Sequence, residues 1–117
     1  MSFDVLSALT SWLPEKVGVP CSTEVPDPRP AEFVTVERTG GPSSLGKDEP
    51  YLAVQAWAAT DADAYALALA ARDAVALMAW QEIPQVCSAR VAGLYRFPDP
   101  ESRQARYQLD AYLVTRP

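Results

Sequence analysis

Thr60-Asp-Ala-Asp-Ala-Tyr-Ala-Leu-Ala-Leu-Ala-Ala-Arg-Asp-Ala-Val-Ala-Leu-Met-Ala-Trp-Gln81 is the stretch that orders the rest of the chain. Twelve of the 19 alanines lie between Ala56 and Ala79, and alanine is the strongest helix former. Thr60 followed by Asp63 fits a capping box with Asp in place of Glu, and two acids in the first turn suit the helix dipole. The pattern predicts a helix over Asp61–Gln81. Ala64, Leu67, Ala68, Ala71, Val75 and Met78 form one apolar stripe, while Tyr65, Leu69, Ala76 and Trp80 add apolar groups on the far side. A helix apolar on two sides is normally covered on two sides. One cover is a sheet; the other is the first helix or another subunit.

The flanks supply the sheet. Phe33-Val-Thr-Val-Glu-Arg38 is β-branched with period two and ends at Thr39-Gly-Gly-Pro42; Tyr51-Leu-Ala-Val-Gln-Ala-Trp57 reads as a second strand. Gly40–Pro50 between them exceeds a tight hairpin turn and is expected to be a long mobile loop. Beyond the helix, Val86–Tyr95 is mixed. Gln104–Arg116 alternates, with Tyr107, Leu109, Ala111 and Leu113 facing one way and Arg106, Gln108, Asp110 and Arg116 the other. Phe97-Pro-Asp-Pro-Glu-Ser102 joins these two strands with turn chemistry. At the N-terminal side a short helix is expected over Ser2–Leu13, capped by Ser2 and stopped by Pro14. Five of the 11 prolines fall between Pro14 and Pro30, so that piece reads as an extended linker. The expected fold is α+β: a four-stranded antiparallel or mixed sheet flanked by helices, in the order α-β-β-α-β-β.

At 117 residues the chain forms a single domain, 1–117, with one core. Its 15 acids, 10 bases and absent histidines give a net charge of -5. That balance argues against sequence-specific nucleic-acid binding, which needs a basic face. It also removes the commonest general base and metal ligand. Two cysteines, Cys21 and Cys87, do not make a disulfide framework or a thiolate zinc site, and each reads as a small buried apolar group. Arg72-Asp73 interrupts the longest apolar stretch, so no membrane span is expected, and no secretory signal is recognisable. The expectation is a soluble protein made in a reducing cytoplasm.

No catalytic constellation is assembled by these residues, and an enzyme is not expected. Gly41-Pro-Ser-Ser-Leu-Gly-Lys47 matches seven positions of a phosphate-binding loop. Asp48 stands where a Mg²⁺-holding hydroxyl belongs, and a strand follows where a helix is required. Asp61 and Asp63 serve the helix cap, Asp99 and Glu101 the proline turn. No cofactor or metal is implied.

Charge is distributed unevenly. Residues 1–63 hold ten acids and four bases, net -6; residues 64–117 hold five acids and six bases, net +1. Five of those bases are Arg90, Arg96, Arg103, Arg106 and Arg116. A head-to-tail interface is the sharper reading, with arginine-bearing strands of one subunit meeting the acidic half of the next; such contacts close into rings. The loop adds Leu45, Lys47, Asp48 and Glu49, with Arg38 at the strand end that launches it. Arg38 is expected to pair with an acid on an adjoining subunit or on another protein. The candidate interface is therefore Arg38, Leu45, Lys47, Asp48, Glu49, Arg90, Arg96, Arg103 and Arg106.

Val25-Pro-Asp-Pro-Arg-Pro-Ala-Glu-Phe-Val-Thr-Val-Glu-Arg-Thr-Gly-Gly41 resembles the tail terminator proteins of long-tailed (siphovirus-type) actinobacteriophages, which share a proline-rich lead-in and an FVxVxRTGG strand. Leu52-Ala-Val-Gln-Ala-Trp57, the Thr60–Trp80 helix and Phe97-Pro-Asp-Pro100 with Ala105-Arg-Tyr-Gln-Leu109 are similar to that family's later pieces, in order. The resemblance implies an α/β fold and a homo-hexameric ring seated on the last ring of the major tail tube protein. It further implies that the ring halts tube growth and offers a docking face to the head-tail connector. The location it implies is the virion tail at the head-tail junction, after assembly in the host cytoplasm. It carries over no catalytic residue. The alternatives are a neck or head-completion protein and, from another class, a cytoplasmic small-molecule or regulatory binding module.

Overall fold

The computed structural model describes residues Ser2–Pro117. Helix α1 (Val5–Val17) leads to strand β1 (Cys21–Ser22), then β2 (Phe33–Gly40) and β3 (Tyr51–Ala58). Helix α2 (Asp61–Asp73) runs through a π-helical turn at Ala74–Met78 into α3 (Ala79–Glu82), and β4 (Val86–Arg96) and β5 (Ala105–Thr115) close the chain. The class is α+β, as expected, but the sheet has five strands rather than four, in the order β1-β2-β3-β5-β4. β1 runs parallel to β2 and every other pair is antiparallel. The extra strand lies in the stretch expected to be a linker. Two residues are too few to show a period; what makes them a strand is their neighbour, since Val34 N–H donates to the Pro20 carbonyl at 2.9 Å.

The ends of α1 also differ from expectation. Asp4 rather than Ser2 caps it, accepting from Ser7 N–H at 3.0 Å. The helix passes through Pro14, which has no N–H to donate to the Thr10 carbonyl. Gly18 ends it instead, with φ 76°, donating back to the Pro14 carbonyl at 2.9 Å.

Thr60 caps α2 as expected, accepting from Asp63 N–H at 3.2 Å. The predicted stripe is buried through Val75 and then slips. The π turn inserts one residue into the helical period, so Ala79 rather than Met78 reaches the core. One face of the sheet packs Val34, Val36, Leu52, Val54, Leu109 and Leu113 against Leu9 and Leu13 of α1 and Leu67, Ala71 and Val75 of the long helix.

The opposite face has no helix, yet its Trp57 end is closed. Phe33 and Trp57 stack with centroids 5.1 Å apart, and Trp57 is 3% exposed. Arg106 lies over Trp57 at 4.8 Å and under Phe97 at 4.6 Å, while Arg29 covers Trp57 from the lead-in at 5.4 Å. Arg29 also donates to Ser102 Oγ and Gln104 Oε1 at 3.2 and 3.0 Å, tying the proline-rich stretch to the β4–β5 turn. Further along, Trp57 Nε1 donates to Thr35, Thr35 to Gln55, Gln55 to Gln108 and Gln108 to Tyr95, a hydrogen-bonded ladder across four strands.

Candidate functional site

The nine candidate residues fall at the two ends of the sheet. Arg38, Leu45, Lys47, Asp48, Glu49 and Arg90 gather at the end where β2 stops and β3 starts; Arg96, Arg103 and Arg106 lie at the other, around the β4–β5 turn.

At the first end the loop is only partly free. Asp48 pairs with Thr115, exchanging backbone bonds at 2.9 and 2.8 Å, and Leu113 N–H donates to the Pro50 carbonyl at 3.1 Å. These bonds keep the register of the Tyr51–Tyr112 pair, so the β3–β5 ladder extends back into the loop. Glu49 N–H donates to Pro42 and Ser44 N–H to Lys47, each at 2.9 Å, narrowing the loop to a small hairpin. The expected mobile tether is therefore pinned at its base. Its tip projects, and Leu45 at the tip is 100% exposed.

Arg38 supplies the clamp. Its two terminal nitrogens donate to the two Asp48 carboxylate oxygens at 2.7 and 3.0 Å, and its fork also reaches the Gly40 and Gly41 carbonyls, each at 3.0 Å. Hydrogen bonding from Arg38 holds the Asp48 carboxyl below its ordinary range, and the same contact raises Arg38. The expected pairing of Arg38 with another subunit is thus taken up within its own chain.

The second end gives a similar correction. Arg106, expected at an interface between subunits, is 8% exposed and donates Nε–H to the Phe97 carbonyl at 2.6 Å; burial lowers its pKa. Arg96 donates to Asp61 at 3.0 Å, joining the hairpin to the start of α2. Asp99 acts as a turn former, accepting from Ser102 N–H at 3.1 Å. Arg103 is exposed at φ 58°.

Arg90 is different. Its guanidinium sits 4.7 Å from the Tyr112 ring centroid, and among the described residues no carboxylate pairs with it. With Glu49, Tyr51, Tyr112, Ser88 and Val114 it lines an open cleft of about 720 Å³. Tyr51 and Tyr112 meet edge to face at 5.0 Å.

No protein-family model matches this sequence, and no curated protein matches it significantly.

Two features were not predicted. The tyrosine pair depends on a cross-strand register that local sequence does not display; its only signal is that both residues fall on the outward phase of their strands. Leu77 falls on the far side of the helix from the stripe by period and is 61% exposed. With Trp80, one turn on and 50% exposed, it forms an apolar outer side at the end of the helix. α1 does not cover it. Tyr65, more than three turns earlier, packs on Tyr107 with ring centroids 5.2 Å apart. Cys87, expected to be buried, is exposed at a bulge in β4.

Proposed function

We propose that the chain is a structural subunit of a phage tail, not an enzyme: a terminator that assembles with copies of itself into a ring, six-fold by resemblance, on the end of the tail tube. The observation that carries the assembly reading is the uncovered outer side of the long helix. Leu77 and Trp80, one turn apart, are large apolar groups left in water on a helical element, and exposed apolar groups set together in this way mark a protein contact. Two further features support it: the fully exposed Leu45 held out on a pinned hairpin, and the quoted motifs shared with tail terminators. The partners under this reading are other copies of the chain, the major tail tube protein and the head-tail connector.

A double variant, Leu77→Lys with Trp80→Ser, tests the reading. Both residues are at least half exposed, so the melting temperature should shift little, since surface changes cost within about 0.5 kcal/mol. Ring density at the ends of purified tails should vanish. Rings of normal occupancy would show that this helix side is not an assembly surface.

A further inference from the structure

We propose that the cleft between Tyr51, Tyr112 and Arg90 receives the proline–acid segment Glu24-Val-Pro-Asp-Pro28 of a second copy. The inference rests on the ring reading and names the surfaces that would form its seam. The cleft offers two tyrosine faces, a cation without a carboxylate partner among the described residues, and hydroxyl donors. Proline-rich segments dock on such surfaces: their rings stack on aromatic faces, they bring few N–H groups that must be satisfied, and their carbonyls accept from phenolic hydroxyls.

The segment offers the complement. Glu24, Val25, Asp27 and Pro28 are exposed, and neither acid forms an ion pair among the described residues. Arg29, its one neighbouring base, is held by Ser102 and Gln104. Asp27 of one copy therefore faces Arg90 of the next. Glu49, the carboxylate that also borders the cleft, is offset by Lys47 at 3.8 Å.

Placement sets the symmetry. The segment leads into Arg29, which lies over Trp57 and the β4–β5 turn at one end of the sheet, and the cleft lies at the other end, where β3 starts. A contact between opposite ends of successive copies is heterologous, and it propagates from copy to copy until it closes.

The test uses two exposed charge reversals, Arg90→Glu and Asp27→Arg, on the full chain. Each variant alone sets like charges against each other at the seam, which costs enough to weaken association about tenfold or more at low salt. An equimolar mixture alternates the original pair with its reversed counterpart and should assemble again, by sedimentation and in images of tail ends. Thermal melts of both variants should match the unaltered protein. If either variant alone assembles normally, the cleft is not the seam, although the ring reading stands. If the mixture fails as well, Arg90 and Asp27 do not face each other and the proposal falls. An unaltered protein that is monomeric in solution and absent as a ring from tail ends overturns the proposal and the ring reading together.

Discussion

Arg38 grips both oxygens of Asp48, at 2.7 and 3.0 Å, across a loop that the same arginine launches. The pair ties the end of β2 to the segment that continues β3 onto β5, so it belongs to the fold. Because Asp48 has a lowered pKa in the folded state, its contribution is present above the ordinary carboxylate value. It is lost as pH falls through the folded value, below roughly 4. Asp48→Asn should cost about 1 kcal/mol at neutral pH and should flatten the loss of stability on acidification. Urea titrations from pH 7 to pH 3 would measure both. An acid profile identical to that of the unaltered protein would show that the pair contributes nothing.

The loop divides into a structural base and a free tip. Gly41 has φ 102°, and a Cβ there would overlap the Glu49 carbonyl. Gly41→Ala should therefore destabilise by roughly 1–3 kcal/mol, visible as a lower melting temperature. Replacing Ser43–Lys47 by a short glycine-serine link should leave the melt nearly unchanged, because loop closure entropy varies slowly with length, yet complementation of a phage lacking this gene should fall. Full complementation would make Leu45 and its neighbours dispensable.

The two thiols should react unequally. Burial pushes Cys21 up to about 12, whereas Cys87 is exposed, and the thiolate is the reactive form. A maleimide at neutral pH should label Cys87 rapidly and the half-buried Cys21 much more slowly. Equal rates in the native protein would contradict the placement of β1 against β2.

Periodicity made the long helix, β2 and β5 legible, because their pattern is local, while β4 carried only a mixed pattern. Thr60 shows its capping role for the same reason. β1 was not legible: Cys21 and Ser22 are strand only because Val34 lies beside them. The slip from Met78 to Ala79 came from a π turn, which no apolar count displays. At the candidate site, sequence marked the charged residues but not their partners. Arg38, Arg96 and Arg106 all look available in one dimension, and each is used within the fold by a residue or ring nine or more positions away. Arg90 was marked for its charge, and its tyrosine surroundings emerged only from the Tyr51–Tyr112 register.

Tail-tube length in a phage that lacks this gene measures the terminator proposal most directly. Filled heads without attached tails are expected, together with tubes of excessive and variable length that return to one length when the protein is supplied. Tubes of normal length beside unattached heads would contradict termination and point to a neck protein. Normal, infectious particles would contradict any role at the head-tail junction.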